Sequence, residues 1–234
     1  MSTLAIVGAT GLVGSNVLSL SRTAELAGIS NIVAITRRPV KESLTKGGTH
    51  KVENVVATDI PVSIPPTTKI LFSSLGTTKA EAGGFDKQYK IDHDLNLEIA
   101  KAAKATGAST YVLISAAGAS VGSRFAFLKM KGELDRDVSE IGFDRTIILR
   151  PSMIMGKREQ SRPWEGAAQG MVSFIKKVPL LGNATRAIGA DAEDVAKAAL
   201  KAIQKSGSGV EIYGNEDILK MAKEYSEQTG SKTK

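Results

Sequence analysis

The sequence predicts an α/β protein built as a single doubly wound parallel sheet with helices on both faces. Three observations predict it. Apolar runs of strand length alternate with longer runs of helical period along the 234 residues. The first apolar run, Leu4 to Val7, meets glycines at positions 8, 11 and 14 and passes at once into a helical pattern. Helix boundary signals fall between the runs, with Gly107 closing one helix and Asp191 and Asp194 opening another.

The elements follow in order. A strand at 3–8 ends on the glycines, and a helix at 11–26 begins on them. Asn31-Ile32-Val33-Ala34-Ile35-Thr36 reads as a buried second strand, stopped by Arg37-Arg38-Pro39. Strands at 52–57 and 69–74 come next, the latter running into Ser73-Ser74-Leu75-Gly76-Thr77-Thr78. A long helix at 86–106 leads to a fifth strand at 110–115, which ends in Ser115-Ala116-Ala117-Gly118. A helix at 124–140 and a strand at 144–149 follow, ending in Arg150-Pro151-Ser152. Beyond residue 152 the pattern weakens, through a stretch with Gly, Pro, Arg and the only tryptophan, Trp164. A helix at 191–205, a strand at 210–213 and a helix at 215–228 close the chain. We read 1–234 as one domain, with 152–190 as a substrate-side lobe. Connections between parallel strands are right-handed and ligands sit at the carboxyl ends of the strands. The loops after 8, 36, 58, 74, 115 and 150 are therefore expected to line one crevice.

The glycines carry a chemical reading. Gly8 permits a sharp turn off the strand, Gly11 leaves the backbone bare, and Gly14 lets the helix lie close to the sheet. The helix start then offers free N–H groups and a partial positive charge to an anion. Strand, turn and helix in this order suit the pyrophosphate of a dinucleotide; a plain glycine-rich turn is the alternative. Gly8, Thr10, Gly11, Leu12 and Val13 are the expected contacts. The second strand end distinguishes the dinucleotides. A site for NAD carries an acid roughly 20 residues beyond the glycines, whereas this chain carries Arg37 and Arg38. Guanidiniums pair with phosphate in planar, charge-assisted fashion. The expected cofactor is thus NADP(H), clamped by its 2′-phosphate, against the alternative of two solvated bases. Asp59 is expected to face the adenine amino group or to cap a turn. Leu75, Gly76, Arg150 and Pro151 complete the expected cofactor crevice.

Composition narrows the chemistry. Cysteine is absent and only His50 and His93 are present. Disulfides, thiolate chemistry and multi-histidine metal sites are thereby excluded, and no metal is expected. No apolar run approaches the roughly 18 residues that span a bilayer, and a cleavable presequence would have to include the glycine turn itself. The net charge of +7 is spread over helices among acids, as in Lys129, Lys131, Glu133, Asp135, Arg136 and Asp137, which read as solvated helix faces. No basic arm with interleaved aromatics marks a nucleic-acid surface; at most a peripheral contact with an anionic membrane is expected.

Longer blocks carry a resemblance: G-A-T-G-L-V-G at 8–14, R-R-P at 37–39, L-G-T-T at 75–78, G-G-F-D-K-Q-Y-K-I-D-H-D-L-N at 83–96, K-M-K-G-E at 129–133, L-R-P at 149–151 and R-E-Q-S-R-P at 158–163. The chain resembles the atypical extended short-chain dehydrogenases/reductases, in particular the Tat-interacting-protein type of oxidoreductase and its fungal mitochondrial outer-membrane relatives. The resemblance implies an NADP-binding Rossmann domain and a location that is cytoplasmic or peripheral on the mitochondrial outer membrane. It also implies a Tyr-x-x-x-Lys pair after the fifth strand and a serine at that strand's end. In the superfamily the tyrosine gives the substrate carbonyl a proton, the lysine binds the nicotinamide ribose, and the serine hydrogen-bonds the carbonyl.

This chain departs from that pattern. The lysine is present as Lys131, but Phe127 stands at the tyrosine position. The serine position maps to Ala116, while Ser115 precedes it and is expected to point to the other face. Lys131 reads either as the ribose ligand or as a surface lysine. Tyr89 reads as a packing residue, Asp92 and Asp94 as structural, and Asn96 either as a relay group or as a helix-surface residue. Two functions follow: an NADP(H)-dependent oxidoreductase on a small carbonyl compound with a weakened proton donor, or a non-catalytic NADPH sensor acting on a protein partner. A nucleic-acid binder, suggested by charge alone, ranks behind both.

Overall fold

The structure, a computed structural model, describes residues 2–156 and 189–230. Strands β1 (Thr3–Val7), β2 (Asn31–Thr36), β3 (Lys51–Val56), β4 (Thr68–Ser73), β5 (Thr110–Ile114), β6 (Arg145–Leu149) and β9 (Gly209–Tyr213) form one sheet in the order β3-β2-β1-β4-β5-β6-β9. Every pairing in it is parallel. A two-stranded parallel pair, β7 (Met153–Met155) and β8 (Gly189–Asp191), stands apart from it. The Rossmann-type architecture predicted from the sequence is the one observed.

Alternation along each strand divides the core in two. Leu4, Ile6, Ile32, Ala34, Phe72, Val112 and Ile147 pack beneath α1 (Leu12–Ser21), together with two later helices, α6 (Ala192–Gln204) and α7 (Asn215–Gly230). Ala5, Val7, Val33, Ile35, Leu71, Tyr111, Leu113 and Ile148 face α4 (Asn96–Ala105) and α5 (Ala126–Ser139). Strand β9 forms one sheet edge and leaves Val210 and Ile212 exposed.

The long helix expected at 86–106 is divided. Short α2 (Lys79–Ala82) and α3 (Phe85–Tyr89) precede a widened π-helical segment, Lys90–Leu95, that runs into α4. Such widened turns re-aim side chains and are frequent at functional sites. Here consecutive Asp92 and His93 are both buried and serve different neighbours, Asp92 the loop after β4 and His93 helix α5. Helix α1 stops at Ser21 rather than running to 26. Arg22 turns its guanidinium back to the Ser43 and Lys46 carbonyls, tying the chain there into a turn. The expected lobe at 152–190 is described only at its ends, in β7 and β8; Trp164 and the 158–163 block lie outside the described residues.

Candidate functional site

The strand order reverses between β1 and β4, where the chain leaves β1 toward β2 on one side and returns to β4 on the other. Ligands of doubly wound sheets bind at such a point. Gly8 sits there with φ +83°, and a Cβ on it would lie 2.8 Å from the Ser74 carbonyl carbon. Gly14 is tighter still, since a Cβ would meet the Gly8 oxygen at 2.2 Å. Helix α1 therefore rests directly on the turn that precedes it. A Cβ on Gly11 would meet only the Gly8 oxygen, at 3.1 Å, and Gly11 and Thr10 face solvent. No side chain caps the start of α1 and no acid lies in its first turn. Its first N–H groups lack intrahelical partners, as at any helix start. Val13 is buried in the core and Leu12 half-buried against it, so these two offer the crevice backbone rather than side chain.

Arg37 and Arg38 are exposed at the end of β2, with no ion pair or hydrogen bond among the described residues. Arg37 shares an open pocket with Val56, Ala57, Thr58, Asp59, Val62 and Ser63. Asp59 accepts a long 3.4 Å contact from the Val62 N–H, so it caps its turn and lines the pocket at once. Beyond β4, Gly76 passes over Asp92; a Cβ there would stand 3.7 Å from its carboxyl. Asp92 accepts from the Thr77 N–H at 2.7 Å and from Gln88 at 3.4 Å. Leu75 packs into the core on the α4 side.

Asn96 is fully buried, which overturns its reading as a helix-surface residue. It accepts from Ser73 at 2.6 Å and donates to the Leu75, Ile91 and Asp92 carbonyls, tying the end of β4 to the widened turn. Tyr89 packs as expected. Its ring stacks on His93 at 4.7 Å and its hydroxyl donates to Glu133 at 3.0 Å. Burial, followed by the Glu133 carboxylate, pushes the phenol up to about 12. His93 also contacts Asp94 at 2.9 Å and Asp137 at 3.0 Å.

The α5 side corrects a second expectation. Lys131 and Asp135 are not part of a solvated face but are 5% and 3% exposed. Lys131 Nζ donates to the Ile114 carbonyl at 3.2 Å, which removes its surface reading. Asp135 accepts from Arg150 Nε at 2.9 Å, so that guanidinium is engaged with α5. Burial raises Asp135 above the ordinary carboxylate range, opposed by Ser115, Arg150 and Lys131. Burial likewise lowers Lys131, opposed by Asp92 and Asp135. Ser115 points to the α5 side, as strand alternation required. Its buried hydroxyl lies near Asp135 but outside hydrogen-bond geometry. Ala116 is half-buried beyond it, and Pro151 is buried with its carbonyl accepting from the Ala117 N–H at 2.8 Å. Phe127, one turn before Lys131, is 43% exposed, and Phe125 is 72% exposed.

Sequence reasoning missed the burial of Asp135, whereas Asp92 has the structural role expected of it, holding the loop after β4. The signal for Asp135 was its phase. Met130, Leu134 and Val138 mark the buried stripe of α5, and Lys131 and Asp135 flank it at the same spacing.

No family profile matches the chain. In solved structures it is similar to MoeE5 in complex with UDP-glucose and NAD, with TM-score 0.64 and 15% identity over 98% of this chain and 82% of that one. It is also similar to an oxidoreductase of the short-chain dehydrogenase/reductase family from Burkholderia thailandensis, with TM-score 0.61 and 16% identity over 97% of both chains. These likenesses concern the fold. Among curated proteins, the mitochondrial fmp52 of Emericella nidulans is 40% identical over 224 residues, covering 93% of this chain and 94% of that protein. FMP52, mitochondrial, of Eremothecium gossypii is 36% identical over 226 residues, covering 95% and 98%. Identity of this order along nearly the whole of both chains means that the chain belongs to the family of the mitochondrial Fmp52 proteins.

Proposed function

We propose that the chain binds NADP(H) and acts as an oxidoreductase on a small carbonyl compound, with a proton-donor site reduced by the loss of tyrosine. The observation that carries this reading is the bare glycine turn beneath an uncapped helix start, with two unpaired guanidiniums at the neighbouring strand end. The residues fit the group. Backbone at Gly8, Thr10, Gly11, Leu12 and Val13 would hold the pyrophosphate, on a turn packed so closely against Ser74 and α1 that Gly8 and Gly14 have no space for a side chain. Arg37 and Arg38 would pair with a 2′-phosphate, and Asp59, beside Arg37, would face the adenine. Lys131 would serve the nicotinamide ribose. Bound there, the cofactor supplies a hydride. The chain itself offers the carbonyl oxygen no acidic hydroxyl from the Phe127 and Ala116 positions, so protonation falls to water, at a slow rate.

A second reading, an NADPH sensor acting through a protein partner, is favoured by Phe127 alone. Titration with NADPH and NADH, beside a hydride-transfer assay on a panel of carbonyls, separates the two. Turnover supports the enzyme, tight binding without turnover supports the sensor, and failure to bind either nucleotide sinks both. The relatives are named mitochondrial, and we place this chain there too, held peripherally at the outer membrane. Among the described residues no helix is long and apolar enough to cross a membrane.

A further inference from the structure

Strand β6 has an arginine at each end, and the two are used differently. Arg145, at its start, engages all three side-chain nitrogens inside the protein. Nε and Nη2 donate to the Glu211 carboxylate, each at 2.8 Å, and Nη1 donates to the Lys205 carbonyl at 2.6 Å. Arg150, just past the carboxyl end, engages one. Its Nε donates to the buried Asp135 at 2.9 Å, and neither Nη atom has a partner among the described residues. Its side chain is 28% exposed, against 8% for Arg145. A guanidinium presents planar, paired donors that match a carboxylate. In Arg145 that match is made within the chain, whereas in Arg150 the fork is anchored from α5 and its outer donors are left open. Ligands of doubly wound sheets bind at the carboxyl ends of the strands, which is the Arg150 end of β6 and not the Arg145 end.

The neighbours of Arg150 are those of the crevice. The Ser115 N–H donates to the Leu149 carbonyl and the Ala117 N–H to the Pro151 carbonyl, both at 2.8 Å, so the chain around Arg150 runs beside the end of β5. Lys131, proposed as the ribose ligand, bonds the Ile114 carbonyl at that same strand end, at 3.2 Å. Neighbouring strands lie about 4.8 Å apart. We propose that Arg150 is the substrate anchor and binds a carboxylate carried next to the reacting carbonyl, so that the substrate class is a 2-oxo acid rather than a neutral ketone or aldehyde. The inference rests on the NADP(H) oxidoreductase reading, which puts the carbonyl beside the end of β5. A carboxylate bonded directly to that carbonyl lets one small molecule reach from there to the fork on the next strand. Asp135 holds the fork at Nε and leaves its Nη donors to the substrate.

The test uses the full chain with saturating NADP+, so that binding is read without turnover, and two probes alike but for charge, pyruvate and its amide, pyruvamide. Dissociation constants are measured by ligand-observed NMR at fixed ionic strength. The natural protein should bind pyruvate about 10- to 100-fold more tightly than pyruvamide. In Arg150→Gln the two constants should converge through loss of pyruvate affinity. Equal constants in the natural protein overturn the proposal. So does an Arg150→Gln protein that keeps the preference, or that weakens both probes alike, as damage to the fold would. Should the glutamine variant fail to fold, Arg150→Lys takes its place, since it keeps a charge beside Asp135 and loses the fork; the preference should fall in it, and an unaltered preference overturns the proposal. If the natural chain binds neither nucleotide, the NADP(H) reading falls and the probes are titrated into nucleotide-free protein. A pyruvate preference abolished in the Arg150 variant then supports the anchor, and no preference overturns it.

Discussion

Arg37 and Arg38 stand at the end of β2 with no counterion among the described residues, beside a pocket that one of them lines. A charge-assisted hydrogen bond contributes about 1.5–3 kcal/mol. Changing both to alanine should therefore weaken NADPH binding by about 10- to 100-fold and leave NADH binding nearly unchanged, as read by fluorescence titration. Equal affinities for the two nucleotides in the natural protein would remove the clamp. At Phe127 the missing group is a single hydroxyl. A positioned acid contributes about 10²–10⁴-fold to rate, so Phe127→Tyr combined with Ala116→Ser should raise turnover on a reactive dicarbonyl at unchanged NADPH affinity. Brisk turnover by the natural protein would point to another donor. Tyr89 is a poor candidate, with its hydroxyl held by Glu133 and its acidity suppressed. Glu211 illustrates the opposite shift. Arg145 and then Tyr213 hold its carboxyl below the ordinary 4.5, against burial. A depressed carboxyl stabilises the fold above its unfolded value and loses that contribution as pH falls through the folded one. Glu211→Gln should thus lower thermal stability at neutral pH, and the deficit should shrink below pH ~4, as followed by melting curves.

Among elements, α1 depends closely on one position. A methyl group at Gly14 would meet the Gly8 oxygen at 2.2 Å, so Gly14→Ala must push the helix off the turn. Despite the better helix propensity of alanine, the variant should melt lower and lose NADPH binding together. A protein that keeps both would show the contact to be soft. The strands and most helices were legible because their signals are local: apolar runs, glycines and caps. The division of the helix at 86–106 was not legible. Its residues are sound helix formers, and the widened turn is imposed by partners distant in sequence, Ser73 and Thr77 on the β4 side and Asp137 on α5. The buried charges of α5 were hidden for a related reason. Alternating lysines and acids look solvated until the helix is phased against the sheet.

For the whole molecule, the loops at the carboxyl ends of the strands were legible, but the links between them were not. Which strand end lies beside which follows from the sheet order, and Arg150 to Asp135 joins two elements that no spacing rule connects. The molecule's charge bears on the proposed peripheral attachment. With a net +7 and surface electrostatics that fade over about 10 Å at 0.1 M salt, high salt or carbonate should release it from a mitochondrial fraction. Retention through carbonate extraction would reveal another anchor.

The place of β1 in the sheet has a consequence for the order of events in time. Strand β1, made before either neighbour, lies inside the sheet, paired through Thr3 to Asn31 on one side and to Thr68 on the other. It cannot be enclosed until β4 has been made, and every neighbour it has is a parallel strand reached by a crossover. Non-local parallel pairing of this kind is slow to form and leaves apolar edges open meanwhile. The glycine turn after β1 is therefore enclosed only once β4 is in place, and until then a growing chain keeps one edge of that apolar strand open.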